Sequence, residues 1–183
     1  MTQFHGDSVA DSDVLPPEAT GSSALAEVAL FDLGALRFAL RLEDVEELTH
    51  AFAFEPLPNA PAVVSGAANF RGRLLPVFDL RRRFGLSTRQ LLASDHFVVA
   101  RAGQRRVILH VERALELRSL PITEIAEERD LPPASSVLAG TARTEDGILF
   151  IYDLSRFLSQ AESLELDRAL PREPMEPQSE GSR

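Results

Sequence analysis

Short apolar segments recur along the middle of this chain, and their length limits the fold more than any other feature. In residues 35–42 (ALRFALRL), leucine and phenylalanine alternate with arginine and alanine, the period-two pattern of a half-buried strand. Further strand candidates follow at near-regular intervals, at 27–33, 73–80, 96–102, 105–112 and 148–154. Many short strands predict a mainly β fold, either a barrel or a sandwich.

Turn signals separate several of these segments. Gly34 stands between the first two, and 102–104 (AGQ) stands between another pair. Asp146-Gly147, directly before the last segment, is a strong hairpin-turn signal. These positions predict that the flanking strands are antiparallel neighbours.

Helical patterns are few. One short helix is predicted over 43–48 (EDVEEL) and another over 87–93 (STRQLLA), where Ser87 would cap the start. A third follows Asp153, and Pro171 would end it. Apolar residues recur there at helical spacing: Leu154, Phe157, Leu158, Ala161 and Leu164. This helix is predicted to pack on the β domain through that stripe, with Phe157 and Leu158 buried.

The ends of the chain differ from its middle. Residues 1–26 are rich in Ser, Asp, Pro and Gly, with four acidic side chains and no basic one, which predicts a disordered acidic leader. Residues 27–160 hold 18 acidic and 16 basic side chains, so most of the net charge of -9 comes from the ends. We therefore expect one folded domain over 27–160, followed by 161–183, the end of the helix and a disordered tail.

Missing residue types exclude several chemistries. The chain has no cysteine, so disulfides, thiol nucleophiles and cysteine-bound zinc are excluded. It has no lysine either: all 19 basic side chains are arginine, which suits planar contacts with carboxylates, although a GC-rich genome also favours arginine. No apolar run approaches the ~18 residues of a membrane span, and the first residues show no basic region followed by an apolar one, so we expect no secretory signal. We expect a cytoplasmic protein without direct membrane insertion.

Candidate catalytic and metal-binding side chains are sparse. The four histidines show no metal-binding spacing, and no nucleotide-binding motif appears, so we expect no metal site and no cofactor. The stretch Ser94-Asp95-His96 contains the residue types of a catalytic triad, but three adjacent residues cannot adopt its relay geometry. A small hydrolase using Asp79, Asp95 or His96 stays open as an alternative.

Five arginines gather in 69–85 (NFRGRLLPVFDLRRRFG), in a chain that is acidic overall. A nucleic-acid-binding barrel is therefore a second alternative. Phosphate binding normally requires a basic domain, and single-strand binding also uses stacking aromatics, whereas this chain has no Trp and one Tyr. We expect no nucleic-acid binding, and we expect Arg82 and Arg83 to lie at the solvated end of a strand.

The glycines around Arg71 describe a built turn. Gly66 and Gly72 bracket 66–72 (GAANFRG), where glycine permits a bend or the close approach of another backbone. Asn69 has a side chain that can bond to nearby backbone groups. This pattern predicts a shaped turn that presents Arg71 in a set direction, before a strand that buries Leu74, Leu75, Val77 and Phe78.

Several motifs in series resemble one family. They are 45-VEEL-48, 57-LPNAP-61, 66-GAANFRG-72 and 76-PVFDLR-81, and 138-LAGTA-142 and 148-ILFIYDLSRFL-158 are similar to the closing strands and helix of that family. In order and spacing they resemble the CheW-like adaptor family of bacterial chemotaxis, from about residue 27 to residue 160.

The resemblance implies two small five-stranded SH3-like barrels packed together, with an apolar groove between them and a C-terminal helix. It implies an adaptor without catalysis. Such an adaptor links the cytoplasmic tip of a methyl-accepting chemoreceptor to the regulatory domain of the CheA-type histidine kinase, in receptor arrays at the inner membrane.

The same resemblance implies a set of partner-binding residues: Val45, Glu47, Asn69, Phe70, Arg71, Gly72 and Arg81. Val45 and Phe70 are expected beside the receptor groove. Glu47 and Arg71 belong to separate motifs that flank the groove, so we expect their side chains to form an ion pair there.

Overall fold

The computed structural model describes residues 24–127 and 138–170. This part of the chain is mainly β, with eleven strands in two sheets. The strands are β1 (Leu25–Leu33), β2 (Leu36–Arg41), β3 (Val45–His50), β4 (Val64–Phe70), β5 (Arg73–Asp79), β6 (His96–Ala102), β7 (Arg105–Val111), β8 (Arg113–Pro121), β9 (Ile125–Glu127), β10 (Leu138–Thr144) and β11 (Gly147–Tyr152). The helices are α1 (Leu80–Arg83) and α2 (Gln160–Ala169), with 3-10 turns at Leu42–Asp44, Ile122–Glu124 and Leu154–Arg156.

The two sheets follow one plan. The six-stranded sheet has the order β8-β1-β2-β11-β10-β9, and the five-stranded sheet has the order β3-β6-β7-β5-β4. In each, the second strand of an antiparallel hairpin pairs in parallel with the second strand of another hairpin: β2 with β11, and β7 with β5. The six-stranded sheet takes its strands from both ends of the described chain, and the five-stranded sheet is built entirely from the middle.

The core lies in three apolar clusters. One small cluster around Val28 and Leu149 belongs to the six-stranded sheet, and another around Val77 and Phe97 belongs to the five-stranded sheet. The largest cluster draws on both sheets and on α2, and it holds the two sheets together. Central strands are therefore buried on both faces, which explains why they read as continuous apolar runs.

The strand predictions are largely confirmed. All six predicted segments form strands, and turns occur at Gly34 and at 103–104. The Asp146-Gly147 signal also marks a hairpin turn, which here occupies residues 145–146. β1 begins at Leu25, two residues inside the segment assigned to the leader, whereas residues 1–23 lie outside the described residues. The predicted burial of Leu74 is wrong: its side chain is 42% exposed, whereas its neighbour Leu75 is buried.

Two helix predictions are wrong. Residues 42–44 form only a 3-10 turn, and the chain then continues as β3, which pairs with β6. Residues 87–93 form no helix; Ser87 does not cap one but accepts hydrogen bonds from Arg81 through its carbonyl (2.5 Å) and its hydroxyl (3.1 Å). In both segments tertiary contacts outweigh a weak local helix preference.

The C-terminal helix is confirmed, with a later start. After the 3-10 turn, Ser159 caps α2 in a capping box with Glu162, and the helix ends two residues before Pro171. The predicted packing stripe is wrong for the helix itself: Ala161 and Leu164 are exposed, and Leu166 is the buried residue of α2. The fully buried Phe157 and the half-buried Leu158 both precede α2. The mainly β fold with two packed units and a C-terminal helix is thus confirmed, with six strands in the larger sheet instead of five. Among the described residues, no helix is long and apolar enough to span a membrane.

Candidate docking site

The hairpin between β4 and β5 presents Arg71 at its tip. Arg71 and Gly72 both have positive φ, 51° and 81°, as a two-residue turn of type I′ requires. The Asn69 side chain accepts a hydrogen bond from the Gly72 amide at 2.9 Å. The turn predicted from the sequence is therefore present, and its backbone holds a non-glycine residue in the left-handed region to place its side chain.

The Arg71 guanidinium forms an ion pair with Glu47. Nη2 of Arg71 lies 2.7 Å from Oε2 of Glu47, whose side chain comes from β3. The guanidinium carbon also lies 5.2 Å from the centroid of the Phe70 ring, within the range of a cation–π contact. The Arg71 side chain is 72% exposed and that of Glu47 is 31% exposed, so the pair lies at the surface.

Gly66 fits the predicted close approach of another backbone. A Cβ atom at this position would lie 2.2 Å from the carbonyl oxygen of Glu55. Glu55 pairs with Ala67 through two backbone hydrogen bonds of 2.9 and 2.8 Å, and it thereby covers the outer edge of β4. The 52–55 segment also brings Phe52 against the Phe70 ring, with centroids 6.3 Å apart. This packing holds β4, and with it the β4–β5 hairpin, against the 52–55 segment.

The other sheet contains an equivalent hairpin without the arginine. Gly140 meets the carbonyl oxygen of Ala126 as Gly66 meets that of Glu55. Asp79 and Asp153, each 13 residues after the glycine, both cap the turn of helix that follows their strand. Counted from these anchors, Glu145 occupies the position of Arg71. The fold therefore needs the glycine and the aspartate in both sheets, but it does not need an arginine at the tip.

The structure does not bring all of the predicted residues to this hairpin. Val45 lies on β3 and packs against the large cluster between the sheets, whereas Phe70 is buried in the small cluster of the five-stranded sheet. With an exposed fraction of 8%, Phe70 offers little surface of its own. Val45 and Phe70 thus support the site from two different parts of the core.

Arg81 connects three loops. Its Nη1 contacts a carboxylate oxygen of Glu112, which also accepts a hydrogen bond from the Gly34 amide at 2.8 Å. Its remaining donors bond to Ser87. Because the Arg81 side chain is only 13% exposed, its charge is used inside the molecule.

Arg83 corrects the expectation of a solvated strand end. Its side chain is only 14% exposed and forms a fork-to-fork pair with Glu162 of α2, at 3.0 and 3.2 Å. It also donates to the carbonyl of Phe157 and lies over the Phe157 ring. Arg82 is 44% exposed, as expected, and it bonds to the carbonyl of Ala62. The arginine cluster therefore mostly fastens loops and the C-terminal helix to the five-stranded sheet.

A buried polar network was missed by the sequence reasoning. Asp95, whose side chain is 2% exposed, pairs with Arg89 at 2.7 Å and with Nε2 of His110 at 2.8 Å. Burial alone would raise the pKa of Asp95, but hydrogen bonds from Arg89, the Leu92 amide and His110 lower it to about 2. No local sequence signal identifies this network. His110 lies in the apolar pattern of β7, and its partner Asp95 lies 15 residues earlier, directly before β6.

The side chains proposed for the hydrolase alternative make structural contacts instead. Asp79 is 5% exposed and caps α1 by accepting hydrogen bonds from the amides of Arg81 and Arg82. Asp95 bonds to His110 rather than to its neighbour His96, whose ring stacks near His50 with centroids 4.9 Å apart. Asp79 and Asp95 are thus committed to structural contacts.

Comparisons with known proteins agree on one family. The family model described as "CheW-like domain" matches residues 27–162. The chemotaxis protein CheW of Rhizobium meliloti is 27% identical over 151 residues, covering 82% of this chain and 90% of that protein. Protein FrzA of Myxococcus xanthus is 30% identical over 119 residues, covering 65% of this chain and 69% of that protein.

The fold has a close solved counterpart. The crystal structure of the scaffolding protein TtCheW from Thermoanaerobacter tengcongensis superposes with a TM-score of 0.69 at 21% identity, covering 76% of this chain and 96% of that one. Neither the hydrolase nor the nucleic-acid alternative finds support among these relatives. The family model matches most of the length of this chain, and the chain therefore belongs to the family of CheW-like domains.

Proposed function

We propose that this chain is a non-catalytic coupling adaptor in chemotaxis-type signal transduction. It joins the cytoplasmic tip of a methyl-accepting chemoreceptor to the regulatory domain of a CheA-type histidine kinase. Its place is the cytoplasm, recruited to receptor arrays at the inner membrane. Family membership and the chemotaxis proteins among its relatives support this role.

The Glu47–Arg71 ion pair is the main structural support for assigning this role to particular residues. Glu47 and Arg71 come from two motifs that are separated along the chain, and their side chains lie 2.7 Å apart. Arg71 also adopts a positive φ, which is unfavourable for a non-glycine residue. An exposed ion pair of this kind contributes only about 0–1 kcal/mol to stability, so folding alone does not account for it. A partner that covers the pair would remove water and strengthen its interactions.

The other predicted residues divide into contacts and supports. Glu47 and Arg71 touch the partner, and Asn69 and Gly72 set the turn that aims the guanidinium. Phe70 underlies Arg71, and Val45 anchors β3 beside the pair. Arg81 acts from a distance, by holding the loops around Glu112 and Ser87 that frame the five-stranded sheet.

A double-mutant cycle tests the pair. We expect Arg71→Ala and Glu47→Ala each to weaken assembly with a receptor fragment and the kinase regulatory domain by about tenfold. The double variant should lose little more than either single variant, since the two residues act together. Co-sedimentation of the three components measures the assembly, and thermal unfolding of each variant shows that it is folded.

Glu145→Ala is the matched control, because Glu145 occupies the same hairpin position in the other sheet. It should leave assembly unchanged. Strictly additive effects of the two single variants, or an equal loss in Glu145→Ala, would contradict the assignment of this hairpin as the docking site.

A further inference from the structure

Four arginines surround a surface hollow between the start of β5, the β6–β7 hairpin and α2. We call it the arginine hollow and define it by Arg73, Leu74, Arg101, Arg105, Arg106 and Leu158. Three secondary-structure elements that are distant in sequence contribute to it. None of the motifs that identify the family accounts for its four arginines.

The positive charge of the hollow is only partly neutralised. The single carboxylate of Glu46 serves both Arg101, at 3.2 Å, and Arg106, at 2.6 Å. Arg105 contacts Asp167 of α2. Arg73 is exposed and has no ion-pair partner within 24–127 and 138–170. The four arginines therefore exceed the two carboxylates that reach them, in a domain whose acidic side chains outnumber its basic ones.

Apolar side chains also line the hollow. Leu74 is 42% exposed, against the expectation for a residue inside a strand of a packed sheet. Leu158 and Leu170 are half-buried beside it. A partner that covers Leu74 removes its apolar surface from water, which favours binding.

We propose that the arginine hollow is a docking site for an acidic segment of a partner protein, one that carries an apolar side chain between carboxylates. The guanidinium groups donate hydrogen bonds to carboxylates in fork geometry, and the leucine side chains of the hollow contact the apolar side chain. A nucleic acid would satisfy the charges but would leave the leucines without a partner. This docking site does not depend on the proposed adaptor role, because it follows from the charges and the leucines of the hollow alone.

A peptide titration tests the site on the full chain. The probe is a fluorescein-labelled peptide, Glu-Glu-Leu-Leu-Glu-Glu, and fluorescence anisotropy measures its binding. We expect Arg73→Gln and Arg105→Gln each to weaken binding at least fivefold. Added salt should weaken binding as well, because exposed charges are screened. A peptide with glutamine in place of glutamate should bind at least tenfold more weakly.

Arg143→Gln is the matched control. Arg143 is also an exposed strand arginine without an ion-pair partner in the described residues, but it lies on β10 in the other sheet. It should leave peptide binding unchanged. Equal affinity in wild type and Arg73→Gln, or an equal loss in Arg143→Gln, would overturn the proposal.

Other occupants give distinct outcomes. If replacing Glu173, Glu176 and Glu180 by glutamine raised peptide affinity tenfold, the chain's own C-terminal segment would be the occupant. If Arg73→Gln converted a dimer to a monomer in sedimentation, the occupant would be a second copy. If an oligonucleotide bound as tightly as the peptide and depended on the same arginines, it would be a nucleic acid. Each of these results would overturn the proposed partner.

Discussion

At the scale of single residues, the arginines of 69–85 have separate roles. Arg71 stands exposed at a hairpin tip, Arg81 and Arg83 are inside ion pairs, and Arg73 faces the arginine hollow. The absence of lysine suits this use, because a planar guanidinium can bond to several acceptors at once. Positive charge gathers here because two loops, a helix and the β4–β5 hairpin all meet at β5.

The Asp95 network should make stability depend on pH. The pKa of Asp95 lies at about 2, below its ordinary value of 3.8, so its stabilisation is present above about pH 4 and is lost as the pH falls through 2. The size of this contribution is about 2 kcal/mol. Asp95→Asn should remove it, and urea unfolding of both proteins at several pH values between 2 and 6 measures the difference.

That difference should shrink steadily below pH 4. As a control, Glu145→Gln, at an exposed hairpin tip, should unfold like the wild type throughout this range. A free-energy difference between wild type and Asp95→Asn that stays constant from pH 6 to pH 2 would show that Asp95 is not the titrating group.

At the scale of elements, α2 is held mainly by what precedes it. The pair Arg83–Glu162 fixes the first turn of the helix, where Glu162 also completes the capping box. Burial alone would raise the pKa of Glu162, but the bonds from Arg83 and Ser159 lower it. Leu166 is the one fully buried residue of α2, so the helix adds a narrow apolar contact to the shared core.

Phe157 should contribute more to stability than any residue on α2 itself. Its ring is fully buried and packs edge-on against Phe78, with centroids 4.7 Å apart, and against Tyr152. Phe157→Ala should therefore lower the free energy of unfolding by about 3–5 kcal/mol. Leu164→Ala, at a half-exposed position of the same region, should change it by less than about 0.5 kcal/mol. Chemical denaturation compares the two, and similar small losses would mean that the connection to α2 is not part of the core.

At the scale of the whole molecule, the two sheets are copies of one plan that the chain builds in an interleaved order. The first hairpin starts one sheet, the chain then builds the whole second sheet, and it returns to complete the first. The large shared cluster joins them, so neither sheet holds its full core alone. The shared cluster therefore ties the folding of one sheet to that of the other.

Val45→Asp should separate the two docking functions. Val45 is half-buried on β3 beside the Glu47–Arg71 pair, and a carboxylate there would place an unpaired charge against apolar neighbours. We expect receptor binding to fall more than kinase binding, measured separately by pull-down. An equal loss of both in a folded variant would indicate one shared surface.

The ends of the chain should be dispensable for folding. Residues 1–23 and 171–183 lack apolar periodicity, so they offer little burial to offset the entropy of ordering. Removing both should leave the melting temperature within a few degrees. A deletion that continues through β1 should abolish cooperative unfolding, because β1 pairs with both β2 and β8.

Features that depend on near neighbours in the chain could be predicted from the amino-acid sequence. Short apolar segments predicted six of the strands, and glycine with its neighbours predicted the turns at 34–35, 103–104 and 145–146, because a hairpin is decided within a few residues. The order of motifs identified the family and predicted that Glu47 and Arg71 would meet. The stripe after Asp153 predicted a C-terminal helix, which is present, but neither its start at a capping serine nor its buried face at Leu166 was predicted.

Features that depend on distant partners could be seen only in the folded molecule. Residues 45–48 carry a weak helical pattern but form a strand, since β6 supplies the backbone hydrogen bonds. The same holds for the partners of Arg81, Arg83 and Asp95, which come from other parts of the chain. From their charge and length alone, three successive arginines at 81–83 are expected to lie in solvent. Burial depends on which carboxylates the fold brings within reach, and that is set by parallel strand pairs joining segments far apart in the chain.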